Sequence, residues 1–448
     1  MPLALRSDRP FDPQKSPIYY GWWIMAAGTL GMMSAVPGSP PGVSPFVDPM
    51  IEAYGGLDRA SFSLAYTLGT LLTGVITFFV GERLDRLDLR VVCMTIYAAF
   101  GLSLVGLGSF DYVYHWLVPE SAQAHWIAWS FLFFGFFLSR LTGMGLTMTL
   151  CRSMVARWFS DRRGLAVTIN GSILSLSFSG MPAILFWMVD ALGWRQTWWV
   201  LGSGLGIGLV LLSYLFYRRS PEECGMAVEN KEGPAEDPAQ KAGSESRFPV
   251  YRDFYPKEAA KTLMFWAIIL AISLNGIFGT GVSFHLGSIC ENAGLSSAMA
   301  PTLLISMGII NIFFTLYWGS VSHKTDLRIP LLALYLGMTI GVFGALNISE
   351  FWGQAFFCLG SGAAWGSFSI LLNLPWPRYF GRTHLGGING LVSATVIVTS
   401  AMGPYVFGLS EQVRASYDAG LVFCLVGVPL GLLLSVFSKD PQAQYRPL

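Results

Sequence analysis

The stretch GERLDRLDLR at residues 81–90 recurs in altered form as GSVSHKTDLR at residues 319–328. Both stretches begin with glycine, carry a basic residue at the sixth position and end in Asp-Leu-Arg. A second pair lies further along the chain, where RWFSDRRGLAVTING (157–171) aligns with RYFGRTHLGGING (378–390) after a gap of two residues. Because the two pairs keep the same order, the sequence indicates an internal duplication into two halves.

Long apolar segments surround both pairs. Of the 448 residues, 53% are hydrophobic and only 12% are charged, whereas about 25% are charged in an ordinary soluble domain. A helix of about 20 apolar residues crosses the hydrocarbon core of a bilayer. The sequence therefore predicts twelve membrane-spanning helices, numbered here as spans 1 to 12 in chain order: 19–47, 60–81, 89–110, 126–155, 164–189, 194–217, 262–290, 299–321, 329–349, 352–377, 386–410 and 417–438.

These spans predict an all-α membrane protein of two pseudo-symmetric six-helix bundles, at 19–218 and 261–438. Residues 219–260 contain EECGMAVENKEGPAEDPAQKAGSES, which is rich in Glu, Lys, Gly and Pro. Such a segment buries too little apolar surface to fold, and it predicts a disordered cytoplasmic linker. Polar tails at 1–18 and 439–448 flank the bundles.

The positive charges predict the orientation, because cytoplasmic loops of membrane proteins carry an excess of Lys and Arg. With the N-terminus inside, only Arg59, Arg195 and Arg414 fall on outer loops, Arg140 lies within a span, and the remaining 24 of the 28 cations are inside. Both termini are therefore expected in the cytoplasm of a multi-pass protein of the inner or plasma membrane. The insert at 111–125 is expected to be extracytoplasmic and non-helical.

Several classes of function are excluded by composition and motifs. A net charge of +1 with no basic block gives no surface for nucleic acid. The six cysteines form no C-x-x-C pair, so neither a disulfide framework nor a metal site is indicated. The chain has no P-loop and no G-x-S-x-G motif, which argues against an ATP-driven pump and a hydrolase. No enzyme activity and no cofactor are predicted.

The residues around the repeat resemble those of the major facilitator superfamily, whose cytoplasmic signature has the form G-x-x-x-D-[RK]-x-x-x-[RK]. Gly81, Asp85, Arg86 and Arg90 fit that signature. Other stretches look like its monocarboxylate and oxalate/formate branch: YYGWWI (19–24), RWFSDRRGLA (157–166), GWRQTWWVLG (193–202) and MGPYVFG (402–408). The resemblance implies a secondary transporter whose halves rock about a site near the middle of the membrane.

The signature also predicts a gate. Gly81 has no side chain, so two helices can approach each other closely there. Asp85 can bind a cation or a helix N-terminus of the neighbouring bundle. In the second half His323 replaces the acid, so a latch there is expected to be weak or pH-dependent. The alternative is that these charges only enforce topology. The candidate gating residues are Gly81, Asp85, Arg86, Arg90, Arg152, Arg157, His323, Lys324 and Arg328.

Arg140 is the one cation that falls in the middle of a predicted span. It lies 14 residues after Trp126 and 17 before Arg157, or roughly 21 Å and 25 Å along a helix. No carboxylate falls at mid-span, so an anionic substrate would supply the missing charge. The alternative is a structural role, in which Arg140 binds carbonyl groups of span 1 where VPGSPPGVSPF (36–46) should break the helix.

Neutral polar residues within the spans are further candidate ligands of the substrate. His285 attracts interest because its charge changes near neutral pH, which suits proton coupling. The alternative for all of them is hydrogen bonding between packed helices. The candidates are Asn170, Asn275, His285, Asn311, Asn373 and Asn389.

Together, these features predict a secondary transporter of a small organic anion, foremost a carboxylate, that works by alternating access. It is expected to be a monomer in the lipid bilayer and to act as a symporter with a proton or as an antiporter with a counter-anion. One alternative is an exporter of amphipathic drug-like compounds, which an unpaired Arg140 disfavours where the compound is cationic. Another is a sensor that binds a solute without moving it.

Overall fold

Helices make up almost all of the part of the chain that the computed structural model describes, and no strand occurs in that part. The described residues are 10–55, 57–84, 88–118, 125–159, 163–226, 250–322, 325–381 and 383–445. They form two compact units, Met1–Glu232 (unit 1) and Gly233–Leu448 (unit 2). The predicted all-α class is confirmed.

Unit 1 contains spans 1 to 6. Span 1 is a series of short helices, and span 4 contains a π-helical segment. Span 1 consists of Gly21–Met33, Val36–Gly38, Pro40–Val43, Ser44–Phe46 and Val47–Ala53. Span 4 consists of His125–Ser139, the π-helical Arg140–Thr147 and Met148–Trp158. Spans 2, 3, 5 and 6 are the single helices Arg59–Leu84, Leu89–Leu107, Arg163–Leu192 and Trp194–Phe216. The short helices Pro13–Lys15, Phe110–Leu117 and Glu222–Cys224 lie outside the spans.

Unit 2 contains spans 7 to 12. Their bounds are Leu263–Asn292, Met299–Val321, Arg328–Leu346, Phe351–Leu371, Leu385–Arg414 and, for the interrupted span 12, Asp418–Val426 and Val428–Phe437. Short helices at Pro256–Ala259, Pro375–Phe380 and Ala443–Tyr445 lie outside them.

Ten of the described helices are long and apolar enough to cross a membrane. The two predicted spans outside that set are span 1, which is broken, and span 10, which is rich in glycine and serine. Span 10 packs backbone to backbone on span 9. The distance is so short that a Cβ atom added at Gly360 would clash with Gly341. Close packing of small residues is a usual way for helices to associate in membranes.

The insert after span 3 is partly helical, which corrects the prediction of a non-helical 111–125. The helix Phe110–Leu117 buries Asp111, and Nη2 of Arg195 at the start of span 6 binds its carboxylate at 2.6 Å. This ion pair joins residues 84 positions apart, so the local sequence gave no sign of it. Residues 119–124 lie outside the described residues.

Both described ends of the predicted linker, residues 219–226 and 250–260, pack against the chain tails, and residues 227–249 lie outside the described residues. After span 6, the carbonyl of Cys224 accepts a hydrogen bond from Gln14 of the N-terminal tail at 2.9 Å. Before span 7, the side chain of Gln442 from the C-terminal tail bonds the backbone of Tyr251 and Arg252 at 2.8 to 3.1 Å. Each tail thus contacts one end of the linker. The composition of the linker does not predict these contacts.

Candidate functional site

The broken part of span 1 lies buried inside unit 1. The four prolines within residues 36–46 each lack a backbone N–H, so the α-helical hydrogen bonding of Gly21–Met33 is replaced by short turns. Ser39 has an extended backbone, and its hydroxyl accepts the N–H of Gly42 at 3.4 Å. The predicted break is confirmed, and it leaves the carbonyl of Gly38 available to side chains of other spans.

Two side chains donate to that carbonyl. The hydroxyl of Tyr66, on span 2, reaches the Gly38 oxygen at 3.1 Å, and Nη1 of Arg140, on span 4, reaches it at 3.3 Å. The guanidinium of Arg140 also lies 5.2 Å from the centre of the Tyr66 ring, within the range of a cation–π interaction. The three residues bring spans 1, 2 and 4 together at one point.

The charge of Arg140 is poorly compensated. Within the part of the chain that the structure describes, no carboxylate lies within ion-pair distance of it, and its buried Nε has no hydrogen-bond partner. A guanidinium offers five N–H donors. One of them makes a long bond of 3.3 Å, and the other donors of this half-buried group have no partner among the described residues.

Arg140 is also the first residue of the π-helical segment Arg140–Thr147. In this segment the hydroxyl of Thr147 donates to the carbonyl of Thr142, five residues earlier, at 2.7 Å. Segments of this kind are rare and occur frequently at functional sites. The sequence showed the arginine but gave no signal of the π geometry.

A polar face of span 2 borders this site and was missing from the sequence-based candidates. Its side chains recur three or four residues apart, which puts them on one side of the helix. Thr70 and Thr73 donate to carbonyls one turn earlier, at 2.8 and 2.9 Å. The buried members are Ser63, Tyr66, Thr67, Thr70 and Thr73. Their spacing was visible in the sequence, but hydroxyl groups of this kind are common within membrane helices.

The two asparagines that the repeat aligns have different surroundings. Asn170 is buried on span 5, a helix that packs against the broken part of span 1. Asn389 is exposed on span 11. Neither amide forms a hydrogen bond within the described residues. Of the pair, only Asn170 is on an element that borders the broken segment.

Asn275 lies in the middle of span 7 and is fully buried. Neither its amide nitrogen nor its amide oxygen has a hydrogen-bond partner among the described residues. Nearby, the hydroxyl of Thr280 donates to the carbonyl of Ser400 on span 11 at 2.8 Å. An unsatisfied buried amide is costly, by about 1–3 kcal/mol, so Asn275 remains a candidate ligand in unit 2.

His285 lies fully buried in the packing of unit 2. Its Nε2 is 3.0 Å from the carbonyl of Pro404, within span 11, and its ring lies 5.3 Å from that of Tyr417. The proline lies inside the continuous helix of span 11, and the contact joins that helix to span 7. This is the arrangement expected of hydrogen bonding between packed helices.

The other two candidates of unit 2 are satisfied locally. The amide oxygen of Asn311 accepts the hydroxyl of Thr315 at 3.2 Å. Asn373 is exposed in the turn after span 10, where it donates to the carbonyl of Ser369 at 3.0 Å. The expectation that Asn373 is at mid-span is wrong, because the helix ends at Leu371.

Four of the candidate gating residues, Asp85, Arg86, His323 and Lys324, lie outside the described residues. Gly81 is in the last turn of span 2.

Arg90 and Arg328 each make contacts within their own unit. Arg90 is buried, and its Nε donates to the carbonyl of Tyr217 at the end of span 6, at 3.2 Å. Arg328 lies beside Asp326, with Nε 3.9 Å from the carboxylate. Asp88 and Asp326 accept the backbone N–H of Arg90 and Arg328 at 2.9 and 3.0 Å, so the repeated Asp-Leu-Arg starts a helix in each unit.

The arginines at the end of span 4 differ from each other. Arg152 is exposed and makes no ion pair or hydrogen bond among the described residues, whereas Arg157 is half-buried. Arg378, which the repeat aligns with Arg157, donates to the carbonyls of Ser322 and Thr325 at 2.9 Å. In unit 2 this position therefore fastens the loop after span 8 within its own bundle.

The six cysteines are all buried and unpaired. Burial raises the pKa of the thiol of Cys224, which lies outside the spans. The described residues contain no group of His, Cys, Asp and Glu side chains that could hold a metal ion.

Comparison with known proteins gives the relatives of the chain. The family model of the Major Facilitator Superfamily matches residues 22–404. The uncharacterized MFS-type transporter YcxA of Bacillus subtilis (strain 168) is 22% identical over 408 residues, 87% of this chain and 88% of the relative.

Solved structures agree on the fold. A D-xylose–proton symporter aligns with a TM-score of 0.65 at 16% identity, over 96% of this chain and 100% of its own. A bacterial homologue of the human lysosomal transporter Spinster gives 0.65 at 14% identity, over 97% and 100%. The xylose transporter XylE from E. coli gives 0.64 at 16% identity, over 93% and 98%. At these identities the likeness shows the fold alone.

Proposed function

This chain belongs to the Major Facilitator Superfamily, and from that premise we propose that it carries a small organic anion, foremost a carboxylate, across the membrane by alternating access. Members of the family are multi-pass membrane proteins and secondary transporters rather than enzymes. The finer assignment, to an anion, rests on one observation. It is the uncompensated charge of Arg140 inside unit 1.

An arginine in the middle of a membrane span without a counter-charge is unfavourable by several kcal/mol unless water or a ligand faces it. A carboxylate is well matched to the unused donors, because a guanidinium can meet both oxygens with two parallel N–H···O bonds. A neutral sugar, such as the one in the name of the xylose transporter, supplies hydroxyl groups but no charge. An amphipathic cation would be repelled.

The contact of Arg140 with Gly38 suggests how binding is linked to movement. The carbonyl of Gly38 accepts two donors, and the one from Arg140 is the longer. An anion that draws the guanidinium away leaves that carbonyl bonded to Tyr66. The broken part of span 1 then loses this hydrogen bond to span 4, and ligand binding favours a conformation that lacks the bond.

Coupling is proposed to occur through the substrate itself. A protein-based proton carrier would need a sheltered titratable group in contact with the path, and the described part of Arg140's surroundings contains no carboxylate. His285 bonds a backbone carbonyl between two helices. Symport of a proton carried by the acid, or exchange for a second anion, fits these surroundings. Both modes, like the monomeric state, remain proposals.

A thermal-shift comparison tests the proposal. The panel is formate, lactate, oxalate, benzoate, D-xylose and tetraphenylphosphonium, added to purified full-length protein. Ligands that bind only the folded state raise its melting temperature. We expect a carboxylate to stabilise the wild type and to leave Arg140→Gln unchanged, whereas the control Arg414→Gln, at an exposed arginine of unit 2, responds like the wild type. Stabilisation by xylose or the cation alone would overturn the assignment.

A further inference from the structure

Span 4 carries a second arginine on the face that presents Arg140, and we infer that this residue, Arg152, forms a second, weaker anion site on the path to Arg140. The inference rests on the proposed function, since it concerns the same anionic substrate. It follows from the helical geometry of span 4 and from the exposure of Arg152.

The π segment of span 4 adds one residue to the helix. In Arg140–Thr147 the backbone hydrogen bonds run to the fifth residue back rather than to the fourth. The hydroxyl of Thr147 also donates to the carbonyl of Thr142, five residues earlier. A single π segment of this kind takes up one residue more than a regular α-helix does over the same number of turns.

The insertion changes which residues share a face. Arg152 follows Arg140 by twelve residues, and in a regular α-helix that places them about 120° apart around the axis. With one residue absorbed by the π segment, the effective separation is three turns and the angle falls to about 20°. The two guanidinium groups thus lie on one face, with their Cα atoms roughly 16 Å apart.

The surroundings of Arg152 leave its charge available. It is exposed, it makes no ion pair or hydrogen bond among the described residues, and it belongs to the apolar stretch His125–Val155. An arginine exposed to hydrocarbon is strongly unfavourable, so the guanidinium faces water or a lipid headgroup. Because Arg140 occupies the same face, water is the placement that we infer, and two positive charges along one face concentrate anions there.

Uptake into proteoliposomes tests this, with the full-length protein and radiolabelled formate, lactate, oxalate and benzoate at 20 mM and 500 mM KCl. For the carboxylates that bind the wild type, we expect Arg152→Gln to lower the initial rate about three- to tenfold at low salt and less than about twofold at high salt, where charges are screened. The dissociation constant should change by less than about twofold, because the final site is Arg140.

Two further variants complete the experiment. Arg152→Lys keeps the charge and should restore most of the rate, and Arg414→Gln should leave it unchanged. An unaltered low-salt rate in Arg152→Gln overturns the inference while the proposed function stands. The inference is also overturned if the uptake rate of Arg152→Gln falls equally at both salt concentrations and its melting temperature is lower. That result would indicate that Arg152 binds a lipid headgroup or contributes to packing.

If Arg152→Gln does not fold, the salt dependence of the wild-type rate decides. A rate that does not fall with salt overturns the inference. If none of the four carboxylates binds the wild type, the proposed function itself fails, and the inference fails with it.

Discussion

Tyr66 and Arg140 share a single acceptor, since the hydroxyl of one and the guanidinium of the other both donate to the carbonyl of Gly38, at 3.1 and 3.3 Å. The ring of Tyr66 lies 5.2 Å from the guanidinium carbon. The acceptor exists because prolines break span 1 at this depth. The arrangement ties a buried charge to the most irregular backbone of unit 1, and the predictions below test that link.

Replacing Tyr66 by Phe removes the hydroxyl and keeps the ring. Arg140 then becomes the remaining side-chain donor to Gly38 that the structure shows, and an anion that draws it away leaves a buried carbonyl unsatisfied, at about 1–3 kcal/mol. We expect the affinity for a carboxylate to fall about tenfold.

Isothermal titration calorimetry measures the carboxylate affinity. Tyr335→Phe, which removes a hydroxyl bonded to the Ala267 carbonyl in unit 2, should leave the affinity unchanged, and equal losses in both variants would argue against the link.

Deleting Met144, inside the π segment, should convert span 4 to a regular α-helix while the parts of the helix on either side keep their register. The protein is expected to remain folded, with Arg140 held in altered surroundings. Deleting Phe137, in the regular part of the same span, should instead rotate the remainder of the helix by about 100° and disrupt the core. Size-exclusion profiles and melting curves compare the two, and equal damage would contradict the single-residue insertion.

Arg90→Gln tests whether Arg90 stabilises the packing of unit 1 or takes part in gating. The guanidinium donates to the carbonyl of Tyr217 inside unit 1, so its loss should lower the free energy of unfolding by about 1.5–3 kcal/mol, as for a hydrogen bond from a charged group. Carboxylate affinity should be unchanged. A normal melting temperature combined with altered substrate affinity would restore the gating hypothesis for this residue.

His285→Gln tests the source of any proton coupling. The substitution keeps a donor that can reach the Pro404 carbonyl, and we expect the pH profile of uptake to match the wild type within about twofold, because the proposed proton travels on the substrate. A lower melting temperature is compatible with this result. A shifted or flattened profile would assign the coupling to the histidine.

The sequence predicted those features that residue types decide on their own. Four prolines within residues 36–46 break a helix in any context, and an arginine in the middle of an apolar span has to face the bundle interior or water. The contact of Arg90 was not predictable, because its acceptor is a carbonyl 127 residues away. Tyr66 was overlooked for the same reason, since its role depends on where the broken helix places Gly38. The π segment shows only in the backbone hydrogen bonds of Arg140–Thr147, which require the structure.

Equilibrium binding of a carboxylate to the wild type, Arg140→Gln and Arg140→Lys tests the central claim most directly, provided that all three proteins melt normally. Removing one partner of a desolvated charge pair should weaken binding by about 2–5 kcal/mol, or a factor of about 30 to several thousand. Lysine should restore only part of the affinity, because an ammonium keeps the charge but lacks the planar fork. Wild-type affinity in Arg140→Gln would contradict the account and show that Arg140 serves only the Gly38 carbonyl.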